Sequence, residues 1–264
     1  MKDNQEPHVI FTKGIDAYLA GVYRGFHFFL RFFKSVFTKP FHTREIIHQG
    51  YEIGLKSLSL ISLTGFVIGI VFTKQSRPSL EDFGAVSWLP SLMGIAIIKA
   101  LGPLVTAIIC AGKVGSSIGA ELGSMQVTEQ IDAMEVSAVN PFKYLVVTRV
   151  IAATLSVPIL SMYCSFVGLT GAYFNVHASE DTGLRVFIQN AFSGISFLDI
   201  YTSIAKTVVY GFTIGMVGAF KGYHATQGTR GVGKAANEAV VLAMFLIFLE
   251  EILIVQVSNW FRNF

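Results

Sequence analysis

The apolar positions along the chain fall into five long blocks separated by short polar stretches. Crossing about 30 Å of hydrocarbon takes about 20 consecutive, mostly apolar helical residues. Residues 54–73, 88–111, 144–174, 202–220 and 239–257 each meet that requirement. Ahead of them, residues 14–37 are rich in aromatics but interrupted: Arg24, His27, Arg31 and Lys34 recur at i, i+3, i+7 and i+10, opposite Phe26, Phe29, Phe33 and Phe37. That pattern predicts an amphipathic helix lying in the membrane interface, because spanning would carry basic side chains into hydrocarbon.

The pattern changes between the second and third blocks. Residues 112–141 are glycine-rich, then acidic, then amphipathic: Val127, Ile131, Met134 and Ala138 recur at i, i+4, i+7 and i+11, while Glu129, Asp132 and Glu135 take another face. The spacing predicts a helix within 115–138. Anionic lipid disfavours its acidic face, which points to a protein partner. Asn140-Pro141 reads as an N-cap followed by the first helical position. Polar connectors are expected at 74–87, 175–201 and 221–238. In the middle one, Leu184, Val186, Phe187, Ile188, Ala191 and Phe192 predict a short helix against the membrane.

Several residues break the apolar blocks. Gly65 and Gly69 form a GxxxG in the first, a spacing that permits close helix approach. Lys99 lies near the middle of the second, with Gly102-Pro103 just after it, so a kink is expected and the ammonium group needs a partner. Glu250 and Glu251 interrupt the fifth. Lys99 is expected to meet a lipid phosphate or to pair with Glu250 or Glu251. The first, second and fifth spans, which carry these features, are expected to line a cavity.

Composition agrees with the pattern: 52% of the 264 residues are hydrophobic and 14% charged, against about 25% charged in an ordinary soluble domain. With a mean hydropathy of +0.57, the chain reads as one all-α polytopic membrane domain. The net charge of +3 is too small to indicate nucleic acid. Thirteen Lys and Arg fall in the segments on the side of the N-terminus against four on the other, which puts the N-terminus, 115–138 and 221–238 inside and 175–201 and the C-terminus outside. The acidic, polar N-terminus lacks the basic-then-apolar order of a cleaved signal. Cys110 and Cys164 sit in apolar blocks, so no disulfide framework is indicated.

Gly228 to Lys234 fits GxxxxGK, but Ala235 replaces the hydroxyl residue that binds magnesium and no strand precedes it. Gly115 to Gly119 fits GxSxG around Ser117, without the strand-to-helix elbow or a partner histidine inside a span. No metal-ligand spacing is present.

Leu101-Gly102-Pro103, Ala111-Gly112-Lys113-Val114-Gly115, Ala120-Glu121-Leu122-Gly123-Ser124-Met125, Thr128-Glu129-Gln130-Ile131-Asp132-Ala133-Met134 and Asn140-Pro141 together resemble the MlaE-type permease family, over nearly the whole chain. The resemblance implies an interfacial helix, five transmembrane helices and a cytoplasmic coupling helix between the second and third. It also implies a homodimer in a bacterial inner membrane, two ABC ATPase subunits below and a periplasmic MCE-domain protein above. The chain would be a non-catalytic subunit of a lipid transporter with no cofactor of its own, ATP and magnesium residing on the ATPase. By the same resemblance Glu121, Gly123, Met125, Thr128, Glu129, Gln130, Asp132 and Glu135 would meet the ATPase. Lys99, Gly102, Pro103, Gly65, Gly69, Glu250 and Glu251 are the candidates for a phospholipid cavity at the dimer interface. The family's acidic residue after Lys99 is Ala100 here. The alternatives are an ion- or proton-coupled secondary transporter using Lys99 and Glu250, against which the absence of an inverted repeat argues, and a hydrolase using Ser117.

Overall fold

The computed structural model describes residues 8–39, 41–226 and 228–262, and among them regular structure is entirely helical. Residues 1–7 of the N-terminal stretch expected in the cytoplasm lie outside that range. The chain divides into two units, Met1–Phe41 and His42–Phe264. The first holds one helix, α1 (His8–Val36), which begins before the segment singled out by its amphipathic pattern. Within it the rings of Phe29 and Phe33, one turn apart, lie 4.8 Å from each other.

The second unit contains α2 (Thr43–Asp82), α3 (Val86–Val127), α4 (Gln130–Val136), α5 (Phe142–Glu180), α6 (Leu184–Ser193), α7 (Phe197–Tyr223) and α8 (Gly228–Arg262). Five of them, α2, α3, α5, α7 and α8, are long and apolar enough to cross a membrane. The 42 residues of α3 are roughly 63 Å long at 1.5 Å per residue, about twice the hydrocarbon thickness. One end of α3 therefore projects beyond the bilayer.

Two stretches expected as polar loops are largely helical. Helix α2 runs on to Asp82 with Pro78 inside it, and Arg77 near its end donates to Glu180 at the end of α5 at 2.5 Å. Helix α7 continues to Tyr223 and α8 begins at Gly228, with Lys221 and Glu238 paired across the turn at 2.8 Å. Charged residues mark where a helix leaves hydrocarbon, and here the helices continue because those charges pair across their ends. The connector after α5 does contain the expected short helix, α6, whose Phe187 and Ala191 are buried against Leu89, Met93 and Ile97 of α3 and Val176 of α5.

Small residues set how closely the spans approach. A Cβ on Gly69 of α2 would run into the Gly168 carbonyl and the Ala172 amide of α5. The GxxxG of α2 is thus a contact inside one chain. Gly94 of α3 is met in the same way by the Ala191 carbonyl of α6.

Helix α3 is not uniformly α-helical. It widens to π geometry over Ala96–Leu101 and Ala111–Gly115, as α5 does over Phe142–Val147. The proline ring at 103 has no N–H and would clash with the carbonyl of residue 99 in a regular helix. The wide turn just before it absorbs that conflict, so the expected disturbance at Pro103 takes the form of a π segment.

Candidate functional site

Two clusters of charged residues inside the bundle are built on α7. Asp199, Lys206, Tyr210 and Thr213 are spaced i, i+7, i+11 and i+14, which places them on one face of that helix. At its start, the Asp199 carboxylate accepts from the Ser196 amide at 3.0 Å while the Asp199 amide donates to the Ser196 hydroxyl at 3.3 Å, closing a reciprocal cap. The same carboxylate pairs with Lys99 of α3 at 2.7 Å. Ser203, a turn further on, donates to the Ile98 carbonyl at 2.8 Å, inside the π segment whose backbone bonding is disturbed.

Two turns below Asp199 lies the second cluster. Lys206, 5% exposed, donates to both oxygens of Glu251 on α8, at 2.9 and 3.2 Å, and the Tyr210 hydroxyl donates to Glu251 as well. Thr213 donates to Glu250 at 2.5 Å, while the other Glu250 oxygen is buried without a hydrogen-bond partner. The expected pairing of Lys99 with Glu250 or Glu251 is therefore corrected. Helix α7 supplies both partners, giving Lys99 an aspartate at its N-terminus and Glu251 a lysine in its interior. Sequence reasoning passed over Asp199, Lys206, Tyr210 and Thr213; Asp199 falls in the connector before the fourth apolar block, and the one-face spacing of Lys206, Tyr210 and Thr213 within that block was the available signal.

The polar insert divides differently from its sequence pattern. Residues 116–127 are the last turns of α3, packed between α7 and α8. Glu121 accepts from the buried guanidinium of Arg149 on α5 at 2.6 Å, and Arg149 also donates to the Leu145 carbonyl at 3.0 Å. Gly123 is buried with Ala225 and Val232 against it, and Met125 is half-buried. Glu121 and Gly123, assigned by resemblance to ATPase docking, also hold the end of α3 to its neighbours.

The projecting part begins at Thr128, whose hydroxyl donates to the Ser124 carbonyl at 2.8 Å. Glu129 then takes a left-handed conformation at φ 58°, and α4 follows. The apolar stripe expected from Val127 through Ala138 is therefore not one helical face. The break at Glu129 rotates Val127 away, and Ala138 lies past the end of α4 at φ 61°. Of the stripe, Ile131 is buried and Val127 and Met134 are half-buried, whereas Thr128, Glu129, Gln130, Asp132 and Glu135 are exposed. After them Asn140 caps α5 as its sequence predicts, accepting from the Lys143 amide at 3.1 Å.

Of the cavity candidates, Gly65 packs against Cys164 and Gly69 against Gly168, while Gly102 faces the Ser165 side chain and Pro103 is buried. A cleft of about 640 Å³ lies elsewhere, walled by α5, α6 and α7 with Ile98 of α3. None of the seven candidates lines it.

A family model described as permease MlaE matches residues 46–257. A probable ABC transporter permease protein of Rickettsia prowazekii is 33% identical over 222 residues, covering 84% of this chain and 86% of that protein. A probable ABC transporter permease protein of Synechocystis is 31% identical over 217 residues, 82% of each chain. The chloroplastic protein trigalactosyldiacylglycerol 1 of Arabidopsis thaliana is 31% identical over 210 residues, 80% of this chain and 60% of that one.

Proposed function

The chain belongs to the MlaE permease family, and from that premise we propose that it is the membrane subunit of an ABC transporter moving phospholipid between the inner and outer membranes of a bacterium. The observation that carries this reading is the continuity of α3. One helical run extends from Lys99, deep in the bundle, to the exposed acidic turn at Thr128–Glu135. The pair between Glu121 and Arg149 fastens that run to α5. A push delivered at Glu129, Asp132 and Glu135 by an ATPase is passed to the spans as a rigid-body movement.

The excess of Lys and Arg on one side puts that turn in the cytoplasm with the N-terminus and the C-terminus in the periplasm. Helix α1 then lies along the inner interface. Helix α8 is the least buried of the five spans and exposes Val241, Phe245, Phe248 and Ile252. That face suits a second copy of the chain, with α2 and α3 completing a lipid cavity and an MCE-domain protein above it. An ion-coupled carrier built on Lys99 and Glu250 loses its shared site, since the two bond to different partners.

The test is coexpression with the genes flanking its own. The purified chain should bring down an ATPase and phospholipid detectable by mass spectrometry, and recovery of neither would overturn the reading. Replacing Glu129, Asp132 and Glu135 together by alanine should reduce the recovered ATPase while leaving the amount of chain in the membrane unchanged.

A further inference from the structure

We infer that the cleft between α5, α6 and α7 holds one acyl chain of a membrane phospholipid whose phosphate sits beside Arg185. This site is separate from the dimer cavity and does not rest on the transport reading.

The wall on α5 runs from Ser161 to Phe174, roughly 20 Å of helix. Met162, Phe166 and Leu169 face Phe187 and Ile188 of α6 and Ile204 of α7 across a volume of about 640 Å³. Three hydroxyls in the walls have their hydrogens engaged by backbone carbonyls: Thr170 with Phe166 at 2.9 Å, Ser203 with Ile98 at 2.8 Å and Thr207 with Ile204 at 2.8 Å. The occupant meets few unsatisfied donors, so an apolar body fits without a desolvation penalty.

Two of the walls are spans, and the apolar molecules around them are acyl chains and other helices. An exposed arginine at the rim suits a phospholipid, which carries its phosphate just outside its acyl chains, better than it suits the apolar face of another helix. The headgroup position follows from α6. Leu184, Phe187, Ala191 and Phe192 turn toward the cleft, and Arg185, seven residues before Phe192, falls on the same edge of the helix. Arg185 is exposed and forms no ion pair with a described carboxylate. It therefore offers a cation to a phosphate whose chain enters between Ile188 and Phe192.

The chain is reconstituted into vesicles of phosphatidylethanolamine and phosphatidylglycerol containing phosphatidylglycerol with a diazirine in mid-chain, irradiated, and mapped by peptide mass spectrometry. Labels should concentrate on Met162, Phe166 and Ile204. Met162→Trp, at an exposed and fold-tolerant position, should lower that labelling roughly tenfold, with Arg185→Glu acting in the same direction. Phe245→Trp on α8, outside the cleft, should not. Labels spread evenly over the exposed faces of α2 and α8 would overturn the inference, as would cleft residues shielded from the probe by a second copy or a partner helix. Mapping on the unaltered chain decides this even if a variant fails to fold.

Discussion

Replacing Lys206 by methionine tests whether the cluster between α7 and α8 is held by charge. Lys206 is 5% exposed, and its ammonium group bonds both oxygens of Glu251, whose own side chain is 17% exposed. Removing it leaves a nearly buried carboxylate with Tyr210 as its remaining partner, a type of loss that costs about 3–5 kcal/mol. Glu251→Gln alone strands the lysine at a similar cost. The double variant Lys206→Met with Glu251→Gln leaves no buried charge and keeps an acceptor for Tyr210, so it should lose only about 0–2 kcal/mol. The expected coupling energy is several kcal/mol, a change of a hundredfold or more in the unfolding equilibrium. Unfolding of the purified chain by dodecyl sulfate in bicelles, followed by circular dichroism, measures it. The reasoning is refuted if the losses of the two single variants simply add in the double one, or if Lys206→Met costs less than about 1 kcal/mol, as an exposed pair would.

Other substitutions test the helix contacts. Gly69→Val should cost about 1–3 kcal/mol or more, because it meets the α5 backbone rather than a flexible side chain, while Gly54→Ala, with open space around it, should cost nothing measurable. Asp199→Asn should destabilise by about 2 kcal/mol through the largely buried Lys99 pair, against about 1 kcal/mol for Ser196→Ala, which removes only the cap hydroxyl. Glu129→Gly should raise stability by about 0.5–1 kcal/mol and Glu129→Val lower it, since the residue occupies a left-handed conformation. The same dodecyl sulfate titration reads all of these.

The spans were legible because a hydrocarbon interior demands long apolar helices, and that demand is written in consecutive residues. The cap at Asn140 was legible for the same local reason. The ends of the helices were not. Residues 74–82 and 221–223 look like loop from their charge, and they are helical in a structure where Arg77 and Lys221 find carboxylates on other helices. The stripe from Val127 to Ala138 failed because periodicity assumes an unbroken helix. One left-handed residue, a glutamate and not a glycine, breaks it.

The sequence by itself determined five spans, a polar insert after the second and a set of intramembrane charges that had to be paired. Those follow from composition and spacing, which act along the chain. Which charge meets which was decided only by packing. Lys99 lies a hundred residues before Asp199, and Lys206 meets Glu251 because α7 packs against both α3 and α8. Packing also placed Glu121 on Arg149 and built the α5–α6–α7 cleft from residues that each look like ordinary lipid-facing side chains. Contact between distant segments depends on where helices cross, and no spacing within one segment encodes that.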